Sequence, residues 1–175
     1  MTLNVGHRFS FTGIYTEAVV PVGTVHKVHA NGQTRKYVFL ENDGADSTAV
    51  GDVVSVFTAA SFTFGSCSVT AATIADMTDG TTTRAKVAGI AGAIIALNEF
   101  GWFWFSGYGT HTITTDTNIA VYNELICADG AKLATPNTSA ASAHWQPFGT
   151  ALAADSGSAL TKAVLGGSGM FPWDG

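Results

Sequence analysis

Charge is scarce in this chain of 175 residues: Asp, Glu, Lys and Arg together supply 12%, against the ~25% usual for a soluble domain. The eight basic residues, Arg8, Lys27, Arg35, Lys36, Arg84, Lys86, Lys132 and Lys162, are scattered, and the net charge is −5. Neutralising nucleic-acid phosphates takes clustered Lys and Arg, so no nucleic-acid partner is expected. Long hydrophobic runs are missing too. A membrane helix needs ~20 consecutive apolar residues, whereas the apolar stretch from Val87 stops after Leu97 at Asn98 and Glu99. No membrane partner is expected. Cysteine is nearly absent, and Cys67 and Cys127 match no Cys-x-x-Cys pattern. In a reducing compartment they read as two buried free thiols. The opening residues MTLNVGHRFSF lack a basic segment followed by an apolar one, so no secretory signal is read and cytoplasmic synthesis is the expectation.

Catalytic signatures are also missing. The chain carries no Gly-x-Ser-x-Gly elbow, no Gly-x-Gly-x-x-Gly fingerprint and no phosphate loop. His26 and His29 are separated by Lys27 and Val28, so on a strand their rings point to opposite faces and cannot share a metal ion. Asp43, Asp46 and Asp52 lie in a turn-rich loop without the Asp-x-Asn-x-Asp-Gly order of a calcium site. Ser66, Cys67 or Cys127 would need His111 or His144 beside them to act as a nucleophile, and nothing in the sequence links them. Neither enzyme activity nor a cofactor is expected.

What is present favours β-structure. Apolar residues reach 46%, aromatics 11%, and Thr fills 23 positions. Thr, Val and aromatic residues suit strands. Asn31-Gly32, between Gly23–Ala30 and Gln33–Leu40, predicts a two-residue hairpin with a type I′ turn. Val53–Phe57, Thr110–Thr115, Ile119–Tyr122, Leu125–Ala128, Phe148–Leu152 and Leu160–Leu165 read as further strands, and Val69–Met77 as a strand or one short helix. The expected fold is all-β: a compact antiparallel β-barrel or β-sandwich, jelly-roll or β-tulip-like, with at most one short helix. Residues 1–16 read as an N-terminal arm, 17–168 as a single β domain, and 169–175 as an apolar tail carrying Met170, Phe171 and Trp173. Phe9 and Phe11 in the arm suit either a clamp on a neighbour or a simple first strand.

The richest segment is Val87–Gly109, VAGIAGAIIALNEFGWFWFSGYG. It predicts a strand over Val87–Leu97, a turn over Asn98–Gly101 with Gly101 free to take positive φ, and a return strand over Trp102–Gly107. Alternation puts Trp102, Trp104 and Ser106 on one face and Phe103 and Phe105 on the other. Both faces are apolar and both need cover, from the fold's own layers or from another chain.

Within this segment Gly89–Gly107, GIAGAIIALNEFGWFWFSG, resembles a stretch common in small β-rich capsid decoration (cement) and related head proteins of tailed bacteriophages. The likeness extends through Ile119–Ala134 and through Phe148-Gly149-Thr150-Ala151-Leu152 to Leu165, covering roughly residues 85–165. Phe103 and Phe105 depart from it, standing where smaller or more polar residues are expected. The resemblance implies a virion structural protein on the capsid exterior, assembled in the host cytoplasm. Its partners would be the major capsid protein and copies of itself in a homotrimer. Phe9, Phe11, Trp102, Phe103, Trp104, Phe105, Tyr108, Met170, Phe171 and Trp173 are its expected interface residues. The alternative is a carbohydrate-binding β-sandwich of a fibre or surface protein, stacking sugars on Tyr108, Trp145 or Trp173.

Overall fold

The computed structural model describes residues 9–42, 47–56, 69–70, 86–115, 117–127, 134–137, 147–156, 159–167 and 170. The Asn31-Gly32 turn is the local anchor of the fold. Both residues take positive φ, 52° and 72°, as a type I′ turn requires. The turn joins β2 (Val25–Ala30) to β3 (Gln33–Glu41), paired from Val25↔Val38 to Ala30↔Gln33. Ahead of this hairpin runs the short β1 (Ile14–Tyr15).

After β3 the chain forms β4 (Val53–Val56), β5 (Val69–Thr70), β6 (Lys86–Ala91) and the long β7 (Phe100–Gly109). Then come β8 (Ile113–Thr114), β9 (Asn118–Ile119), β10 (Glu124–Cys127) and β11 (Ala134–Pro136). The last four are β12 (Gly149–Ala151), β13 (Asp155–Ser156), β14 (Ala159–Leu160) and β15 (Ala163–Leu165). Eleven of these strands share one sheet. Its main path runs β11-β10-β12-β15-β7-β6-β4-β5, with β3 and β1 also on β7 and β2 on β3. Two small ribbons, β13 with β9 and β14 with β8, complete the strand pairing. The strand pairs are antiparallel, and the architecture is all-β, consistent with a sandwich. Among the described residues there is no helix and no closed barrel. Of the segment open between helix and strand, only Val69–Thr70 is described, as β5, and the rest of Val69–Met77 lies outside the described residues.

β7 organises the sheet because four strands pair with it. β3 runs along it from Glu41↔Phe100 to Lys36↔Ser106, β6 meets Phe103 and Trp104, β1 meets Phe100 and Gly101, and β15 meets Gly107, Tyr108 and Gly109. The expected alternation along β7 holds as far as Trp104. There the register with β3 jumps from Trp104 to Ser106, a bulge that leaves Phe105 as the extra residue and re-aims the strand from Ser106 onward.

The aromatic strand is core. Phe103 and Trp104 are 0% exposed, Trp102 6% and Phe105 5%. On one face Tyr37 and Phe39 lie across from Trp104 and Trp102; on the other Val38 lies across from Phe103 and Leu40 from Gly101. The fold supplies both covering layers from its own chain, so these four side chains offer almost no surface to a partner.

The connection into β7 differs from its expected form. The strand from Val87 ends at Ala91, and residues 92–99 form a loop although the sequence stays apolar to Leu97. The cause is that side chains capture the backbone there. The buried Thr48 hydroxyl accepts from Ile95 N at 2.9 Å and donates to Ala93 O at 2.9 Å. The buried Asn42 amide donates to Ile95 O at 2.8 Å. Each bond takes a group that a strand would have offered to a neighbour. The positive φ expected at Gly101 falls on Asn98, at 62°, inside the turn closed by Glu99 N donating to Ala96 O at 3.1 Å. Asn tolerates that conformation. Gly101 is extended within β7 and lacks a side chain for a different reason, since a Cβ there would collide with Ile95 Cδ1.

Thr48→Val should therefore cost about 1–3 kcal/mol, because two buried backbone groups lose their partner while the side-chain volume is kept. Urea denaturation checks the cost. Hydrogen exchange checks its location, with Ile95 N–H expected to lose protection ahead of β7.

Candidate functional site

Two features gather residues that ordinary core packing does not explain. The first is a nest of aromatic and imidazole rings on the Trp102–Trp104 face of the sheet. The cross-strand pairs His26↔Tyr37 and Tyr37↔Trp104 set three rings in a row across β2, β3 and β7. Phe9 and Phe11, ahead of β1, lie over this row. Phe9 stacks on His26 with ring centroids 4.3 Å apart and meets Trp102 edge-on at 5.2 Å. Phe11 lies 4.2 Å from His111 and 5.1 Å from Tyr37. Phe9 and Phe11 thus close their own sheet from the turn ahead of β1, neither residue lying in a strand. Aromatic pairs in such geometry add about 0.5–1.5 kcal/mol beyond the area they bury.

Inside the nest the Tyr37 hydroxyl lies 2.8 Å from His111 Nε2. Arg35, two residues from Tyr37 on the same strand, favours the ionised form of the same phenol. Burial pulls the His111 imidazole down to about 4, and the Arg35 charge pushes the same way. Burial raises the Tyr37 phenol, with Arg35 opposing. His111 is therefore neutral near pH 7.

The second feature is an apolar surface at the start of β7. Ile94 is 61% exposed, Val50 51%, Leu97 49% and Ile14 47%. Ile94 and Leu97 sit on the loop over 92–99. Val50 belongs to the segment bonded to that loop and to β6 through Thr48 N to Ile95 O at 3.0 Å and Gly51 N to Ala91 O at 2.9 Å. Ile14 pairs with Gly101, the second residue of β7. The loop is rigid as well as apolar, because Asn42 and Thr48 fasten it from inside. A separate turn holds Val121 and Tyr122, 42% and 77% exposed. Tyr122 there has φ of 68°, and its N–H donates to Ala151 O at 2.8 Å.

The residues expected at an interface fall elsewhere. Trp102, Phe103, Trp104 and Phe105 are core, and Phe9 and Phe11 are half-buried cover for that core. Tyr108 is half-buried, with Lys162 Nζ 5.8 Å above its ring. Met170 is 6% exposed and bridges to Val87, so the start of the tail docks on its own β6. Phe171, Trp173 and Trp145 lie outside the described residues. So do Ser66, Cys67, His144, Asp43 and Asp46, and the Cys127 side chain. The two histidines of β2 go to separate partners, His26 to Phe9 and His29 Nδ1 to the Thr34 hydroxyl at 2.9 Å. Asp52 Oδ2 accepts from Ala49 N at 2.8 Å. Among the described residues no three His, Cys, Asp or Glu side chains gather as metal ligands, and no helix is long and apolar enough to cross a membrane.

The exposed residues were hidden in the sequence because an Ile or Leu inside an apolar run reads as core. Asn98–Gly101, following Leu97, signalled a turn close by. We find no family model, no curated protein and no solved structure that matches the chain.

Proposed function

We propose that this chain is a virion structural protein that binds the outer surface of a capsid and stabilises contacts between capsomers. The observation that carries the reading is the exposure of Ile94 and Leu97 on a loop that buried Asn42 and Thr48 hold in place, with Val50 exposed on the segment bonded to that loop and Ile14 exposed on β1. Exposed apolar clusters on otherwise polar surfaces mark contact sites. A preordered loop loses little conformational entropy on binding, so more of the contact energy appears as affinity. Scarce charge suits the same role, since interface centres are depleted in charged residues. Many copies on a symmetric shell add weak contacts into high avidity.

Self-association in a homotrimer is part of the proposal, and the same surface serves one contact or the other. The test combines Ile94→Asp and Leu97→Asp. Both side chains are largely exposed, so the urea midpoint should stay within about 0.5 kcal/mol of the parent. Occupancy on purified capsids stripped of the protein should fall at least tenfold. Light scattering reports the mass of the parent, with three copies expected. Unchanged occupancy in the double variant removes this surface from the reading, and a purely monomeric parent removes the trimer.

A further inference from the structure

Residues 18–40 carry three of the eight basic residues, Lys27, Arg35 and Lys36, and none of the thirteen acidic ones, in a chain of net charge −5. The hairpin brings these three together. Register sets Lys27 directly across from Lys36, with Cβ atoms about 5 Å apart, and Arg35 across from Val28, one pair nearer the turn. Among the described residues Gln33, Thr34 and Arg35 pair with β2 alone, because β3 leaves β7 at Lys36↔Ser106. Lys27, His29 and residues 31–34 are exposed at this tip.

The other end of the same strands has the opposite sign. Glu41 ends β3 and pairs with Phe100, the first residue of β7; Glu99 precedes Phe100, and Glu17 follows β1, whose Tyr15 pairs with Phe100 as well. Glu17 is exposed, and Glu41 and Glu99 are half-buried. These carboxylates lie at the end of the sheet where Ile14, Ile94 and Leu97 are exposed. Eight residue steps separate Glu41 from Gln33, about 26 Å of strand. The two patches are complementary, and the stiff strand between them keeps them from meeting within one copy.

A ring of three copies needs such a pair of patches. A patch that meets itself generates a two-fold dimer, whereas a three-fold ring takes two different patches, each meeting the other on the next copy. We propose that the basic β2–β3 hairpin of one copy docks on the acid-edged apolar surface of Ile14, Ile94 and Leu97 of the next. This rests on the homotrimer of the proposed function and names the two halves of its contact. The methylene stems of Lys27 and Lys36 cover apolar surface while their ammonium groups reach the carboxylates at its edge. Burial supplies affinity, and the charges set direction and register. Capsid occupancy then gains from a ring that presents three copies together.

Light scattering of the full chain tests the contact. The mass should fall as salt rises from about 0.1 to about 1 M, since screening shortens the reach of exposed charges from ~10 Å to ~3 Å. Lys27→Glu with Lys36→Glu should weaken self-association at least about tenfold, because like charges then meet across the contact. Adding Glu17→Lys and Glu41→Lys to the same chain brings opposite signs together again and should restore the trimer. Glu99 is left in place because its carboxylate accepts from Ala96 N at 2.9 Å. The urea midpoint checks that each variant folds, and Lys27→Gln with Lys36→Gln gives a smaller loss of the same direction if the reversed hairpin does not. A parent that stays monomeric overturns the contact, and so does a trimer indifferent to the reversal or not restored by the swap. Retention of the parent on heparin, lost on reversal while the trimer persists, assigns the hairpin to a polyanion and overturns it as well. Occupancy on stripped capsids separates the two readings. A trimer and an occupancy that both survive reversal leave capsid binding standing without this contact; a trimer governed by the charge swap in a chain that never binds capsids leaves the contact standing alone.

Discussion

Trp104→Ala should lower the stability of the domain by about 3–5 kcal/mol, the loss expected when a fully buried large aromatic is truncated. Trp104 has no exposed surface, lies across from Tyr37 on one side and Ile90 on the other, and touches the His111 ring. Its indole N–H donates to Ser106 O beyond the bulge. Removing the ring opens a cavity where β2, β3, β6 and β7 all converge, and it frees the bonded carbonyl that helps fix the bulge. A domain with total stability of about 5–15 kcal/mol loses a large part of it. Urea denaturation followed by far-UV circular dichroism measures the loss. A change below about 1 kcal/mol would contradict the placement of Trp104 at the centre of the core.

The β2–β3 hairpin was legible because its information is local: Asn31-Gly32 fixes the turn, and the turn fixes the register. The aromatic strand was legible for a related reason, since consecutive large aromatics bounded by glycines favour a strand and need cover on both faces. What escaped was written at long range. The apolar run after Ala91 leaves the sheet because Asn42 and Thr48, 53 and 47 positions away from Ile95, bind its backbone. Nothing near Ile95 announces them. Leu160–Leu165 read as one strand but divides, Ala159–Leu160 pairing with β8 and Ala163–Leu165 with β12 and β7. A short strand of mixed pattern takes whichever edge the tertiary fold offers.

The candidate surfaces obeyed the same rule. An aromatic residue announces burial without saying by what, so Phe9, Phe11 and Trp102–Phe105 read equally as core or contact until the second layer was in view. The Tyr37–His111 bond spans 74 positions, and neither residue carries a local mark of it. Ile94 and Leu97 gave the opposite difficulty, since exposure of an aliphatic residue depends on the loop leaving the sheet, which Thr48 and Asn42 decide.

Phe9→Ala with Phe11→Ala should destabilise the domain by about 2–4 kcal/mol, which alters what removal of the N-terminal arm means. As a detached clamp, residues 1–11 would be dispensable for folding, and their loss would weaken only attachment to a partner. The rings instead cover His26, Tyr37, Trp102 and His111. Each half-buried Phe contributes part of the ~1.5–3 kcal/mol of a fully buried one, and the aromatic contacts add to it. The expected loss is therefore larger than for any pair of exposed residues. Two further readouts separate uncovering from general damage. Trp102, 6% exposed in the parent, gains water contact, so tryptophan emission should move to longer wavelength while the sheet remains folded. His111 regains solvent as well, so its titration should rise from about 4 towards the ordinary 6.5. The parent loses stability as pH falls from 6.5 to 4, because there the unfolded chain binds a proton that the covered imidazole refuses. In the double variant that slope should nearly vanish. A variant that keeps the parental slope, the parental emission and the parental urea midpoint would show that Phe9 and Phe11 do not cover the nest.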